Sequence, residues 1–450
     1  MTSGRLHFTG VCGTGMSALA QFEALRGREV TGSDRSADRG EQADAVRRLG
    51  AVGVKLFPQD GSGVSKDALV VVSTAIENDN RDVSRAKELG AAVVHRADFL
   101  AGLAARRRTV AVAGTSGKST VTGMLFEILE AAGLSPSLIA GANLPGLRAR
   151  GLVGNAALGA SDLLVIEADE SDGTLTRYEP ELGLLLNLSK DHKEPAEIAS
   201  LFREFRARSK ALVVNADAPG LEEFLPGAVS FGFRAGDLRG VGLQVLPRGS
   251  RFEAGGVSFE LSVPGAYNAQ NALAAAAAAR ALGAPLEVAA KALGNFRGVG
   301  RRFQVVGSAR GVEVVDDFAH NPEKIRAVLG AARLRAKRVL AVFQLHGFSP
   351  ARFMKAEFLD AFTDCLLPGD ALWLPDIYYV GGTAAKDVCA KDYADALVAR
   401  GVRAFHQPDR RRIADDIARV AREGDLVLVM GARDSSLADF AQSILERLRA

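Results

Sequence analysis

The segment Gly114–Thr120 has the residue types of a loop that holds the phosphates of ATP. It reads Gly-Thr-Ser-Gly-Lys-Ser-Thr, and it stands between an apolar stretch, Thr109–Ala113, and a helical one, Val121–Ala132. In such a loop backbone N–H groups surround the phosphates, the lysine reaches the β- and γ-phosphate oxygens, and the next hydroxyl can bind Mg²⁺. Val112 occupies the first glycine position of the general GxxxxGK[ST] pattern. The predicted ATP contacts in this loop are Gly114, Thr115, Ser116, Gly117, Lys118, Ser119 and Thr120.

Carboxylates and a histidine follow the next two apolar stretches. Glu167–Asp172 reads Glu-Ala-Asp-Glu-Ser-Asp after Leu163–Ile166, and Asp191-His192 comes shortly after Leu182–Leu186. Because α/β sheets bind ligands at the carboxyl ends of their strands, we expect these groups near Lys118. Oxygen ligands suit Mg²⁺, so the pattern favours a magnesium site. A solvated acidic loop and a structural histidine are the alternative interpretations.

A second glycine turn lies near the N-terminus. Gly10–Gly15 reads Gly-Val-Cys-Gly-Thr-Gly and stands between an apolar and a helical stretch. This layout binds a diphosphate, because glycines let the backbone approach it and the helix N-terminus offers N–H groups. Asp34 ends the next strand, where an acidic residue commonly meets a ribose hydroxyl. The spacing departs from the GxGxxG of NAD-binding proteins, so another nucleotide diphosphate is favoured over NAD, with a purely structural turn as the alternative.

The pattern of strands and helices that must position these residues predicts an α/β protein of three domains. Predicted strands alternate with helices along the whole chain, and 450 residues exceed what one core usually organises. We expect a small parallel sheet in residues 1–106, a larger and mostly parallel sheet with the ATP loop in 107–298, and a third, Rossmann-like set of strands in 299–450.

Composition excludes several other classes of protein. The net charge is +3, and the basic runs Arg106–Arg108 and Arg410–Arg412 lack interleaved aromatic residues, so we expect solvated surface and no nucleic-acid binding. Three scattered cysteines without a CxxC pair indicate neither a disulfide framework nor a structural zinc site. No stretch approaches the ~18 consecutive apolar residues of a membrane span. We therefore expect a soluble, cytoplasmic protein.

Taken together, the ordered motifs resemble those of the Mur ligase family, which builds the peptide stem of bacterial cell-wall precursors. The resemblance covers essentially the whole chain. Besides the two glycine turns and the motifs named above, it includes Asn268–Asn271, Gly300–Phe303 and Asp316–Pro322. It implies a UDP-sugar-binding first domain, an ATP-binding middle domain and an amino-acid-binding last domain, with ATP and Mg²⁺ as cofactors.

The resemblance also implies a role for each motif residue. The implied catalytic residues are Lys118, Glu167, His192, Arg302 and His320, and the implied metal ligands are Ser119, Glu167 and His192. Outside the loop, the implied ATP contacts are Asn268, Asn271, Arg302 and Asp317. The implied amine-binding residues are His320 and His346. The implied UDP-sugar contacts are Gly13, Thr14, Gly15, Met16, Ser17, Asp34, Ser73 and Thr74.

The implied reaction joins L-alanine to the carboxylate of UDP-N-acetylmuramate through an acyl phosphate. Ser116, Asn321 and the absence of an arginine after His346 depart from the family pattern. A ligase for the L-Ala-γ-D-Glu-diaminopimelate tripeptide, or one with a different acid and amine, therefore stays open. Related ligases carry a carbamylated lysine in the middle domain; Lys210 is the candidate for it here, but it is disfavoured because the resemblance is to a ligase that does not depend on one. We expect a monomer or weak homodimer; an NAD-dependent oxidoreductase and a regulatory protein without turnover are the rival classes.

Overall fold

A computed structural model describes residues 4–170, 173–190, 193–379, 385–434 and 436–450. The chain divides into two compact units. The first comprises Met1–Gly242, Phe252–Glu260 and Gln270–Val299; the second comprises Leu243–Arg251, Leu261–Ala269 and Gly300–Ala450. Within the described ranges, no helix combines the length and the apolar character needed to cross a bilayer.

The first sheet has five parallel strands in the order β3-β2-β1-β4-β5. Its strands are β1 (Leu6–Thr9), β2 (Val30–Ser33), β3 (Lys55–Phe57), β4 (Leu69–Val72) and β5 (Ala92–His95). Its helices are α1 (Thr14–Leu25), α2 (Arg35–Asp38), α3 (Ala43–Ala51), α4 (Arg81–Leu89) and α5 (Arg96–Ala104). The strand order reverses between β1 and β4, and open α/β sheets bind nucleotides at the carboxyl ends of strands at such a point.

The second sheet has ten strands in the order β15-β14-β13-β12-β11-β10-β6-β9-β7-β8. The strands are β6 (Arg108–Ala113), β7 (Ser137–Ile139), β8 (Ala156–Ala157), β9 (Leu163–Glu167), β10 (Leu182–Leu185), β11 (Ala211–Asn215), β12 (Val229–Gly232), β13 (Leu238–Leu246), β14 (Gly249–Ala254) and β15 (Val257–Leu261). The helices are α6 (Lys118–Ala131), α7 (Pro145–Ala149), α8 (Pro195–Arg208), α9 (Ala266–Ala281) and α10 (Leu286–Asn295). β6 pairs in parallel with β9 on one side and β10 on the other.

The third sheet has six strands in the order β16-β17-β21-β18-β19-β20, and β16 pairs antiparallel with β17. The strands are β16 (Gln304–Ala309), β17 (Val312–Asp317), β18 (Arg338–Gln344), β19 (Ala371–Leu374), β20 (Ala404–His406) and β21 (Asp425–Gly431). The helices are α11 (Pro322–Arg333), α12 (Phe348–Phe353), α13 (Lys355–Cys365), α14 (Ala390–Ala399), α15 (Arg410–Val420) and α16 (Leu437–Arg449). The predicted α/β architecture with three sheets is confirmed.

The two sheets of the first unit share one hydrophobic core. Phe8 of β1, Leu19 of α1, Ala111 of β6 and Leu164 of β9 belong to the same cluster of buried side chains. Strands such as β6 and β9 are apolar on both faces because helices cover both sides of a parallel sheet. Gln21 of α1 ties the layers further, since its amide donates to Ala156 O at 2.9 Å and accepts from Val153 N at 2.7 Å.

One predicted helix boundary is wrong by three residues. The sequence suggested a helix from Val121, but α6 begins at Lys118, with Gly117 as its N-cap. Lys118, Ser119 and Thr120 therefore lie in the first turn of the helix, where the backbone N–H groups have no partner within the helix.

Candidate active site

The shape of the ATP loop depends on two glycines. Gly114 and Gly117 have φ angles of +146° and +85°, which side-chain-bearing residues rarely adopt. Space is restricted as well. A Cβ atom at Gly114 would lie 2.9 Å from the Leu186 Cβ, and one at Gly117 would lie 2.5 Å from the Asn271 Oδ1. Asn271 of α9, a predicted ATP contact, therefore lies directly against the loop.

Lys118 is held by two acceptors at the mouth of this loop. Its Nζ donates to Gly114 O at 2.7 Å and to Glu170 Oε2 at 2.6 Å, and Asp169 Oδ1 is 3.9 Å away. Burial alone would lower the pKa of Lys118, but the carboxylates of Glu170 and Asp169 outweigh it and raise that pKa. The side chain is therefore an ammonium ion, as contact with phosphate requires.

Ser119 and Glu167 lie together beside the lysine. Ser119 Oγ donates to Glu167 Oε2 at 3.0 Å, and Glu167 Oε1 accepts from Gly141 N at 2.6 Å. Glu167 is the last residue of β9 and pairs in register with Val112 of β6, two residues before Gly114. The two neighbouring strands thus end at the same edge of the sheet, and the sheet brings these two side chains together.

The donor set at this edge fits magnesium. A hydroxyl and a carboxylate converge there, and Gly141 leaves room, since a Cβ on it would lie 3.0 Å from the Glu167 Oε2. His192, the third predicted ligand, lies outside the described residues. Within the described ranges, no group of three His, Cys, Asp or Glu side chains converges in a metal-binding arrangement.

Asn187 positions the loop from the other neighbouring strand, a role that sequence reasoning missed. Its Oδ1 accepts from Ser116 N at 2.8 Å and from Thr115 Oγ1 at 2.9 Å, and its Nδ2 donates to Ser116 O at 3.0 Å. The available signal was a polar residue two positions after β10. Glu170 was missed too, although it lies within the acidic motif and is buried against Lys118.

The N-terminal turn is held mainly by its own sheet. Gly10 N and Val11 N donate to Ser33 O at 2.8 and 2.9 Å, and Cys12 N donates to Asp34 Oδ2 at 3.0 Å. Oδ1 of Asp34 also caps α2. The N–H groups available to a diphosphate are consequently those of the first turn of α1, which begins at Thr14.

The remaining predicted sugar-nucleotide contacts divide by exposure. Gly13 and Thr14 are exposed and Gly15 is partly exposed at the start of α1, whereas Met16 and Ser17 are buried. Ser17 Oγ accepts from Asn155 Nδ2 at 2.8 Å, which links α1 to the second sheet. Ser73 and Thr74 follow β4, the neighbour of β1, and so lie at the same edge of the sheet as the glycine turn.

In the second unit, Arg302 and Asp317 lie around the end of β17. The Arg302 guanidinium lies 4.3 Å from the centre of the Phe318 ring. The Asp317 carboxylate accepts from Phe303 N at 2.5 Å and from Ala319 N at 2.6 Å. Burial raises the pKa of Asp317 to about 6, against an opposing effect of Arg302.

His320 and His346, the predicted amine-binding residues, are neighbours. Their ring centroids are 5.5 Å apart. His320 Nδ1 lies 2.8 Å from Phe318 O, and its Nε2 lies 3.4 Å from Lys324 Nζ. The two histidines follow β17 and β18, whose carboxyl ends lie at one edge of the third sheet. Asn268, a predicted ATP contact, is buried in the same unit and donates to Pro264 O at 2.7 Å.

The structure places the disfavoured candidate Lys210 away from the ATP loop, and it corrects the expectation for Arg410. Lys210 precedes β11, so it lies at the amino edge of the second sheet, opposite Lys118. Its side chain is 76% exposed and contacts Glu181 at 3.4 Å, so it is not placed to hold a carbamate near the ATP loop. Arg410 is not solvated surface, because it is half-buried and bonded to Asp434 and Gln344.

Models of one protein family match three successive ranges of the chain. Residues 5–108 match the Mur ligase family, catalytic domain; residues 112–279 match the Mur ligase middle domain; residues 301–433 match the Mur ligase, glutamate ligase domain.

Individual relatives agree with those matches. A UDP-N-acetylmuramate–L-alanine ligase of Pelotomaculum thermopropionicum is 37% identical over 95% of this chain and 95% of its own length. The enzyme of that name from Streptomyces griseus is 38% identical over 99% and 97%. The crystal structure of UDP-N-acetylmuramate-alanine ligase from Thermotoga maritima superimposes with a TM-score of 0.82 at 26% identity, covering 99% of both chains. Because three models of this family match successive parts of the chain and relatives at 37% and 38% identity cover nearly all of it, the chain belongs to the Mur ligase family.

Proposed function

We propose that this chain is an ATP-dependent ligase that joins L-alanine to the carboxylate of UDP-N-acetylmuramate in peptidoglycan precursor synthesis. The observation that carries the chemistry is the convergence of Lys118, Ser119 and Glu167 at one edge of the second sheet. The choice of substrates is supported by the names of full-length relatives at 37% and 38% identity. Because ATP and a UDP-linked sugar are its expected substrates, we propose that it acts in the cytoplasm.

The first step brings a substrate carboxylate to the γ-phosphate of ATP. Two anions approach each other, so the step needs charge neutralisation more than proton transfer. Lys118 supplies a positive charge from the first turn of α6, whose N–H groups add to it. Ser119 and Glu167, with His192, would hold Mg²⁺, which neutralises charge on the β- and γ-phosphates when bound.

Lys118 has to exchange partners for this step. In the structure its ammonium group is bonded to Glu170 and Gly114 O, which use two of its three donors. Contact with the β- and γ-phosphates therefore competes with the Glu170 carboxylate. Glu170 keeps the lysine charged and directed into the loop until the nucleotide arrives.

The second step forms the amide and releases phosphate. The amine attacks the acyl-phosphate carbonyl, and we assign His320 and His346 to the site that receives it. Their proximity supports that assignment, since two imidazoles and Lys324 form a polar group at the ends of β17 and β18. Arg302 and Asp317 are assigned to the nucleotide by resemblance, together with Asn268 and Asn271.

Phosphate release tests this function directly. Mg-ATP and UDP-N-acetylmuramate are incubated with L-alanine, glycine, L-serine or the L-Ala-γ-D-Glu-diaminopimelate tripeptide in separate reactions. Release with L-alanine, and a product heavier by one alanine residue in mass spectrometry, is the expected result. Release with the tripeptide alone would assign the chain to the recycling reaction, and no release with any of the four amines would contradict the proposed substrates.

A further inference from the structure

A buried aspartate, Asp82, joins the carboxyl ends of β1 and β2 next to the N-terminal glycine turn. Its side chain and that of His7 are both fully buried. Asp82 Oδ2 lies 3.1 Å from His7 Nε2 and accepts hydrogen bonds from Thr9 Oγ1, at 3.2 Å, and from Ser33 Oγ. Asp82 Oδ1 accepts from Gly61 N at 3.0 Å. One carboxylate thus binds four groups from two strands and a loop.

The carboxylate is ionised in this environment. Burial acts to raise the pKa of Asp82, but the hydrogen bonds from His7 and Ser33 outweigh it and hold that pKa below its usual value. A buried charge is costly unless every acceptor is satisfied, so the groups around it are held closely in place.

The groups that Asp82 holds are the residues from which the glycine turn begins. Thr9 ends β1 and Ser33 ends β2, so the next residues are Gly10 and Asp34. Ser33 O in turn accepts the backbone N–H groups of Gly10 and Val11. Any change in the spacing of these two strand ends is therefore transmitted to the turn and to Asp34.

We propose that Asp82 is a positioning residue for the sugar-nucleotide substrate. Through Thr9 and Ser33 it holds the Gly10–Gly15 turn and Asp34 in the arrangement that receives the diphosphate. This inference rests on the proposed function, which takes that turn as the UDP-sugar site. Its effect falls on affinity for the sugar nucleotide, because the ATP loop is fixed by a different set of residues on the second sheet, Asn187 among them.

Two variants and one control test the inference in the full chain. Asp82→Asn replaces an acceptor with a donor facing Ser33, and Ser33→Ala removes one donor while the carboxylate stays. Glu88→Gln is the control on the same helix, since Glu88 is exposed and paired only with Arg85, at 3.0 Å, among the contacts described. Binding of UDP-N-acetylmuramate is measured by calorimetry without ATP or amine, and KM and kcat are measured for both substrates.

We expect the affinity to change for one substrate only, UDP-N-acetylmuramate. Because misplacement of binding groups by about 1 Å can cost up to roughly a hundredfold, Asp82→Asn should weaken UDP-N-acetylmuramate binding about 10- to 100-fold, and Ser33→Ala about 3- to 10-fold. The KM for ATP and the kcat at saturation should stay within about twofold of the parent, as should every constant of Glu88→Gln.

The outcomes separate the two proposals. If the parent chain does not bind UDP-N-acetylmuramate, the proposed function fails. If the parent binds it and folded Asp82→Asn binds it equally well, the positioning role is overturned. Equal losses for ATP and the sugar nucleotide, with a lowered melting temperature, would show a purely structural aspartate and also overturn it. Should Asp82→Asn fail to fold, Ser33→Ala decides between the same results.

Discussion

The chain contains two glycine turns with the same local design and different internal bonding. Each follows a central parallel strand, and each uses a glycine, Gly13 or Gly117, as the N-cap of the next helix. In the N-terminal turn, backbone N–H groups donate hydrogen bonds to Ser33 O and to the Asp34 carboxylate. The ATP loop is instead braced by a side chain from a neighbouring strand, Asn187, and keeps a lysine at its mouth.

Under the proposed function, this difference in bonding distinguishes a binding site from a reaction site. Holding a diphosphate needs N–H groups in a fixed arrangement, which a turn tied to its own sheet supplies. Transferring a phosphoryl group also needs a cation and metal ligands that meet developing charge. We propose Lys118, Ser119 and Glu167 for that set, whereas the segment Gly10–Gly15 contains no charged residue.

The helices that follow the two turns differ in how their buried acidic side chains are paired. Glu23 of α1 is fully buried, but it is paired with Arg26 at 2.7 Å and Arg28 at 3.4 Å. Glu127 of α6 is largely buried beside Glu130, and burial raises its pKa to about 7. Of these two helices, α6 therefore carries the acid whose pKa is raised, although Arg150 and Arg297 act to lower it.

Removing Lys118, which has no counterpart in the N-terminal turn, should have the largest effect on activity. Lys118→Ala should lower kcat by about a thousandfold or more, because the charge that stabilises the transferring phosphoryl group is lost. The fold should stay intact, although the buried Glu170 loses its partner. Phosphate release is the assay, and Lys210→Ala, at the opposite edge of the sheet, is the matched control with unchanged activity expected. Ordinary turnover by Lys118→Ala would remove the loop's assigned role.

Removing the Glu167 carboxylate, which we propose as a metal ligand, should have the next largest effect. Glu167→Gln keeps the size of the side chain but loses its charge, so we expect kcat to fall about 100- to 1000-fold. The Mg²⁺ concentration for half-maximal rate should also rise, which a titration of rate against Mg²⁺ measures. A variant with the parent's Mg²⁺ dependence would place the metal elsewhere.

The two N-cap glycines give a matched pair. Gly117→Ala forces a side chain onto a φ of +85° and against Asn271, so ATP binding should weaken about 10- to 100-fold. Gly13 has a φ of −61°, and its added methyl would lie 3.3 Å from Gly10 O, so Gly13→Ala should weaken sugar-nucleotide binding only a few-fold. Calorimetric titration of each variant with both ligands is the measurement. Equal losses of affinity in the two variants would mean that the two turns place the same demands on their N-cap residue.

The smallest expected effect is on stability. Since the folded-state pKa of Glu127 is raised to about 7, the unfolded chain ionises first, and stability is lost as pH rises from about 4.5 to about 7. Glu127→Gln should raise the melting temperature by roughly 2–5 °C at pH 8 and hardly at all near pH 4.5. Glu23→Gln should instead lower it at pH 8, because Arg26 and Arg28 lose their partner. If the melting temperatures of Glu127→Gln and the parent differ by the same amount at every pH, the raised pKa of Glu127 is contradicted.

Most strands of the sheets could be predicted from apolar runs alone. β6, β9, β18 and β21 are continuous apolar segments buried on both faces. The predicted stretches Thr109–Ala113 and Leu163–Ile166 differ from β6 and β9 by one residue at one end. The start of α6 was missed because Lys118–Thr120 are polar and carry no apolar period, whereas Gly117 ends the loop through its backbone conformation.

The sequence by itself determined the chemistry of the ATP loop, because Lys118 and Ser119 are adjacent to the glycines that hold the phosphates. It also determined the α/β class and the family, since those depend on local pattern and order. Only the tertiary structure decided which distant residues complete each site. Asn187 and Glu170 meet the ATP loop because parallel strands far apart in the chain end side by side. Asp82 meets Thr9 and Ser33 because the first turn of α4 packs against the ends of β1 and β2. Strand order and register set those contacts, and no local spacing in the sequence encodes them.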